Sequence, residues 1–113
     1  MHKELPQIIY PDDYDPQNDG DVEESKMRGY LSHVRVKIDD DNEYPVYFSD
    51  LVRLNQDMAR WVEQGNPCFA PVGLIIVDEV IPELMEKAVL YLWKMSYFTF
   101  FASVKDRSYD VMY

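Results

Sequence analysis

Cys68 and His33 are the residue types that could support nucleophilic catalysis, because a histidine can take the proton of a cysteine thiol. Cys68 is the single cysteine of the 113-residue chain, and it follows Pro67 at the entrance to a predicted strand. It lacks the helix N-terminus that often activates a catalytic thiol. We therefore expect a structural cysteine. A lone cysteine forms no intramolecular disulfide, which favours a reducing compartment and a cytoplasmic location.

A short acidic segment, Asp15 to Asp21, has part of the spacing of a calcium-binding EF-hand loop, with Gly20 at the sixth position. The third position is Gln17 and the twelfth is Lys26, so two of the oxygen ligands that such a loop requires are missing. We expect a solvated acidic segment here, without a metal, and the sequence carries no cofactor motif.

Two carboxylates, Asp78 and Glu79, end a predicted central strand just before a helix. Ligands of open α/β sheets often bind at the carboxyl ends of parallel strands, so these residues mark a candidate ligand pocket. Acidic residues are also stabilised by the positive end of a helix that follows them. Since neither a histidine nor a glycine-rich loop adjoins them in the sequence, a catalytic role is not favoured.

A basic strip is predicted on the strand at 29–38, where apolar and polar residues alternate. Tyr30, Ser32, Val34, Val36 and Ile38 form one predicted face, and the other carries Leu31 and the basic residues. His33, Arg35 and Lys37 form the strip, and Tyr47 of the next strand is expected to join them. The strip is either a solvated face or a docking surface for an acidic ligand or for the acidic N-terminal segment.

The second predicted helix, from Pro82 to about Met95, carries another candidate contact surface. Leu90 lies within a sector of charged residues that includes Glu86, and Trp93 lies at the border of that sector. Isolated apolar residues on a surface are common, but an exposed leucine and tryptophan together are also typical of an interaction site.

These candidate sites are carried by six predicted elements in the order β-β-α-β-α-β. The strands are expected at 29–38, 44–48, 73–80 and 97–102, and the helices at about 50–64 and 82–95. Leu51, Leu54, Met58, Trp61 and Val62 give the first helix one apolar stripe. The pattern predicts an α/β fold, a two-layer α+β sandwich in which a mixed four-stranded sheet has both helices on one face.

The charge of the chain is strongly uneven. Residues 1–25 contain eight acidic residues and one basic residue, which contribute −7 of the net charge of −10. With three prolines in this stretch, we expect an acidic, flexible arm over 1–27 and a single globular domain over 28–113. An acidic chain disfavours nucleic-acid binding, and no apolar run reaches the length of a membrane span.

Together these features favour a non-enzymatic interaction protein, such as a small acidic inhibitor, an immunity-type protein or an accessory subunit that binds a basic protein partner. A homodimer is also compatible with the sequence. The alternatives are a small ligand-binding domain or enzyme that uses the pocket at Asp78 and Glu79, and a nucleic-acid mimic.

Overall fold

A computed structural model of the chain describes residues 5–99. The elements follow in the order β1-α1-β2-β3-α2-β4-α3. Their bounds are β1 Gln7–Ile9, α1 Asp19–Arg28, β2 Tyr30–Asp39, β3 Asn42–Ser49, α2 Leu51–Glu63, β4 Leu74–Ile76 and α3 Pro82–Lys94.

The four strands form one mixed sheet in the order β1-β2-β3-β4, so the predicted four-stranded mixed sheet is confirmed. β1 and β3 pair antiparallel with β2, whereas β4 pairs parallel with β3. The predicted element order is wrong, because the remaining strand is β1 at the N-terminal end and not 97–102. Residues 97–99 are helical, and 100–102 lie outside the described residues.

The N-terminal segment contains regular structure that the sequence did not predict. Ile8 and Ile9 of β1 pair with Val36 and Arg35 of β2. α1 has few apolar residues and is defined by its ends: the side chain of Asn18 accepts from the Asp21 N–H, and Gly29 ends the helix in the left-handed region. The segment that was predicted as an acidic, flexible arm over 1–27 thus contains β1 and α1, and its flexibility in solution stays a prediction.

The hydrophobic core lies between one face of the sheet and α3. Phe48 of β3 and Val36 of β2 are fully buried there, together with Met85 and Val89 of α3. Phe98 also reaches this core and stacks at a tilt on Tyr44, with ring centroids 5.8 Å apart. The side chains of α3 thus supply the layer that covers this face.

β2 contains a bulge that changes which of its residues face the core. Leu31 is opposite Phe48 and Val34 is opposite Val46, so two residues of β2 face the single Tyr47 between them. His33, in the bulge, has a φ of 61°, a conformation in which histidine is enriched relative to most residues. The bulge puts Leu31 on the core face, where it is buried, and shifts Tyr30 to the opposite face.

The prediction that both helices cover one face is not confirmed. Tyr47 follows the alternation of β3 and points away from the face that carries Phe48. Its hydroxyl donates a hydrogen bond to Asp57 of α2. α2 and α3 thus contact opposite faces of the sheet. None of the helices within residues 5–99 is long and apolar enough to cross a membrane.

Candidate functional site

The apolar stripe of α2 is exposed to solvent. Leu51 is 61% exposed, Met58 50% and Val62 50%, and the helix has no buried residue at all. The helix is amphipathic, and such a stripe normally packs against a core. The helix has the predicted spacing of apolar residues, but the stripe does not face the core that residues 5–99 form.

A polar and aromatic cluster explains this orientation, because it holds α2 by the flank of the helix. Arg53 Nε donates to Asp57 Oδ1 at 2.9 Å, and Tyr47 Oη donates to Asp57 Oδ2 at 3.2 Å. The Arg53 guanidinium lies 4.2 Å from the centre of the Tyr30 ring, which itself stacks on Tyr47. The side chain of Asp50 caps the helix by accepting from the Arg53 N–H at 2.7 Å.

Electrostatics within this cluster favour the protonated form of Tyr47. Partial burial raises the pKa of Tyr47, and the negative charge of Asp57 raises it further. The phenol therefore remains a hydrogen-bond donor to Asp57 at neutral pH. This contact fixes α2 on the sheet face opposite the core.

The geometry of α2 directs its exposed stripe toward the β4 side of the sheet. Arg53 reaches Tyr30 of β2, and Asp57, which follows one turn later and further around the helix, reaches Tyr47 of β3. The rotation about the helix axis from Arg53 to Asp57 runs from β2 toward β3. The helix surface that follows in the same direction turns toward β4, and Met58 lies on that surface. β4 is the outer strand of the sheet order, so the stripe points toward this edge of the sheet.

The outer edge of β4 adds backbone and apolar groups to this region. Gly73 O accepts from the Tyr47 N–H, and the Val77 N–H donates to Ser49 O, so both bonds are directed to β3. A parallel strand uses alternate residues for one neighbour, which directs the backbone of Leu74 and Ile76 to the outer side. The side chain of Ile76 is 51% exposed.

We call this region the α2–β4 surface. It comprises Leu51, Met58, Trp61 and Val62 of α2 and Val72 and Ile76 at β4, all of which are exposed. Trp61 also contacts Phe69, edge to face, at a ring distance of 6.1 Å. The sequence alone does not reveal this surface, because the pattern of an exposed apolar stripe is the same as that of a buried one.

The predicted basic strip is present on the sheet face opposite the core, but its cations have partners in the β2–β3 hairpin. Arg35 Nη1 lies 2.8 Å from Glu43 Oε1, and Lys37 Nζ lies 3.8 Å from Asp40 Oδ1. His33 is exposed in the bulge. A shallow depression of about 470 Å³ runs between His33, Arg35 and Tyr47 and the loop at 71–72.

At the end of β4, where the ligand pocket was predicted, Asp78 and Glu79 have different surroundings. Asp78 is exposed, and Glu79 Oε2 forms an ion pair with Lys26 Nζ of α1 at 3.7 Å. This pair links the N-terminal helix to the segment before α3, so the contact gives Glu79 a structural role.

On α3, the three predicted contact residues differ in their surroundings. Glu86 accepts a hydrogen bond from Tyr10 Oη at 3.2 Å, and Trp93 packs against the core cluster. Leu90 is half-buried, whereas Tyr91 and Met95 are the exposed large side chains of this region. α3 therefore offers less continuous apolar surface than α2.

The remaining chemical candidates are Cys68 and the acidic segment from Asp15 to Asp21. Cys68 is exposed, so the expected buried, structural cysteine is not confirmed. Asp15 Oδ1 accepts from the Gln17 N–H, and Asp21 Oδ2 accepts from the Asp15 N–H, so these carboxylates order the turn before α1. Among residues 5–99 no group of three or more potential metal ligands occurs.

Comparison with known proteins gave no family model, no curated protein and no solved structure that matches the chain.

Proposed function

We propose that the chain is a non-enzymatic protein-interaction module that binds its partner through the α2–β4 surface. The observation that carries the proposal is the exposed apolar stripe of α2, a helix that has no buried residue. An exposed apolar stripe along one side of a helix is costly in water and is typical of protein–protein contact sites. Trp61 and Met58 belong to residue types that are enriched in such contacts.

The charge distribution supports a basic partner. The whole chain has a net charge of −10, whereas α2 carries two arginines and two acidic residues that balance. A partner could therefore place an apolar patch of its own against α2. Basic groups around the partner's patch would then be attracted by the acidic remainder of this chain. This is the charge pattern expected of a small acidic inhibitor, an immunity-type protein or an accessory subunit in a reducing, cytoplasmic environment.

A pair of matched variants tests this proposal. Met58→Glu with Val62→Glu adds two negative charges on the stripe. Gln56→Glu with Arg60→Gln changes the net charge by the same amount on another side of α2. We expect the immobilised wild-type chain and the Gln56/Arg60 control to retain the same proteins. The immobilised Met58/Val62 variant should not retain them.

The measurement is quantitative mass spectrometry of the retained proteins, with circular dichroism to verify that both variants fold. Retention of the same proteins by all three chains would contradict a role of the α2–β4 surface. Equal loss from both variants would point to net charge alone as the cause.

A further inference from the structure

We infer that the outer edge of β4 binds an extended, basic segment of a protein partner, which adds to the sheet as a further antiparallel strand. The inference rests on the proposed function, namely that the α2–β4 surface is a protein interface, and adds the form and the chemistry of the segment that binds. It is supported by the outward backbone groups of β4, by the fixed position of this strand, by the uncharged side chains along its edge and by the acidic residue that follows it.

The edge of β4 provides the backbone groups for such pairing. β4 is the last strand in the sheet order, and no strand within residues 5–99 lies beyond it. The ladder to β3 begins at Gly73 O and ends at the Val77 N–H, so the N–H and C=O groups of Leu74 and Ile76 point outward. An antiparallel strand would exchange a pair of hydrogen bonds with each of these two residues. This requirement selects an extended backbone as the ligand, because a helix uses its own N–H and C=O groups internally.

β3 holds both ends of β4 in place, so the edge has its shape before a partner arrives. Gly73, at a φ of 72°, approaches β3 so closely that a Cβ would lie 2.2 Å from Pro45 O. At the other end, the Val77 N–H donates to Ser49 O at 2.9 Å. An edge that is ordered in advance lowers the entropy cost of binding an extended segment.

The side chains along β4 differ from those that usually protect an edge strand, which are lysine, other charged residues and proline. β1, at the opposite edge of the sheet, lies between Pro6 and Pro11. Residues 72–77, which contain β4, include neither a charged residue nor a proline. The side chain of Ile76 is apolar and 51% exposed. The edge of β4 is therefore open to a strand from another protein.

The register of β4 on β3 specifies where the added strand needs apolar side chains. Leu74 is opposite Tyr47, whose side chain points away from the core, so Leu74 and Ile76 share that face of the sheet. Residues of the added strand that pair with Leu74 and Ile76 would place their side chains on the same face. Apolar side chains at these two alternate positions would cover part of Ile76 and remove apolar surface from water.

The charge beside β4 selects a basic segment. Of the two acidic residues that follow the strand, Glu79 pairs with Lys26, whereas Asp78 is exposed and has no ion pair within residues 5–99. An antiparallel strand places its N-terminal end beside the end of β4 that Asp78 follows. A lysine or arginine there would lie near Asp78, and the net charge of −10 of the whole chain attracts it further. The same charge disfavours a second copy of this chain or any other acidic segment.

Synthetic peptides that differ only in their backbone test the inference on the full-length chain. The probe is acetyl-Lys-Lys-Thr-Val-Thr-Val-Thr-amide, in which the N–H groups of the valines would face Ile76 and Leu74. We expect it to bind with a dissociation constant below about 1 mM and to slow amide hydrogen exchange at Leu74 and Ile76. N-methylation of both valines should weaken binding at least about 30-fold, because two hydrogen bonds are lost. N-methylation of the threonine after each valine, whose N–H points away from β4, should change binding less than about threefold.

Two variants of the chain test the backbone contact and the charge separately. Ile76→Pro removes an outward N–H that the ladder to β3 does not use, so it should keep the fold and weaken binding at least about fivefold. Asp78→Asn should reduce the preference for the probe over a peptide in which glutamates replace both lysines. Circular dichroism verifies the fold of both variants. The comparison of the N-methylated peptides uses the unchanged chain and is decisive even where Ile76→Pro does not fold.

A probe that does not bind would overturn the inference. So would equal binding of the two N-methylated peptides, because the backbone of the segment would then not contact β4, and so would equal binding of the lysine and glutamate peptides. If the amides of Leu74 and Ile76 are protected from exchange before any peptide is added, residues 100–113 or a second copy occupy the edge, and the inference is equally overturned.

Failure of this inference and failure of the proposed function are distinguishable. If the probe does not bind but the Met58/Val62 variant loses proteins that the wild type and the Gln56/Arg60 control retain, the α2–β4 surface is an interface and only the added strand is wrong. If the probe does not bind and no retained protein is lost, both proposals fail.

Discussion

Ser25 provides the sharpest test of whether the N-terminal segment is part of the folded domain. The residue is 1% exposed in the middle of α1. Its hydroxyl donates to Val80 O at 2.8 Å, which joins α1 to the segment before α3, and Tyr14 Oη lies 3.0 Å from Ser25 Oγ. Ser25→Ala removes this junction without adding volume.

The expected cost follows from the partners that lose a hydrogen bond. A neutral hydrogen bond contributes about 1 kcal/mol net, and a buried acceptor left without a donor adds about 1 kcal/mol or more. Val80 is fully buried, whereas Tyr14 is half-buried and can bind water. We therefore expect Ser25→Ala to lower the unfolding free energy by about 2 kcal/mol, which corresponds to about 8 °C in Tm for a domain of this size.

Urea unfolding monitored by circular dichroism measures this difference, and Ser32→Ala is the matched control. The hydroxyl of Ser32 makes an exposed contact with His33 Nδ1, so its loss should change stability by less than about 0.5 kcal/mol. Tyr14→Phe completes a double-mutant cycle and should show coupling with Ser25→Ala. Equal stability of the Ser25 and Ser32 variants would refute the docking of α1 and favour the flexible arm that the composition predicts.

Three further predictions follow from other contacts. Gly73→Ala should cost more than about 3 kcal/mol in unfolding free energy, because φ is +72° and a Cβ would lie 2.2 Å from a backbone carbonyl oxygen of β3. Gly65→Ala, at φ +91° in open space, should cost only about 1–2 kcal/mol. Equal losses of unfolding free energy in the Gly73 and Gly65 variants would contradict the packing at β4. Burial and then the neighbouring carboxylate raise the pKa of Tyr10 above its usual 10.0. The unfolded chain therefore loses this proton first, and stability should be retained below about pH 10 and fall above it, less steeply in Tyr10→Phe. Urea titrations at several alkaline pH values test this sign. Val89→Ala should lower the unfolding free energy by about 2 kcal/mol, because Val89 lies in the core. Leu90→Glu, at a half-buried position, should lower it less. Thermal unfolding that shows the reverse order would place Leu90 in the core.

Local sequence patterns predicted several elements because their causes are local. The pattern of apolar residues predicts β2 and β3, Asp39 to Asn42 have the composition of an Asx turn, and Pro82 marks the start of α3. These features depend on side-chain direction, on hydrogen bonds within a few residues and on the fixed φ of proline. α1 was missed because its acidic composition hides a helix that is stabilised at its ends.

The sequence by itself determined three strands of the mixed sheet and the amphipathic character of α2, since these follow from local patterns of apolar residues. The tertiary structure alone decided which strand completes the sheet and where the stripe of α2 points. A three-residue strand such as β1 has too little periodicity to be recognised, and it forms only because β2 offers it an edge. The orientation of α2 depends on the contacts of Tyr30 and Tyr47 with Arg53 and Asp57, which come together only after the bulge at His33 has moved Tyr30 to that face.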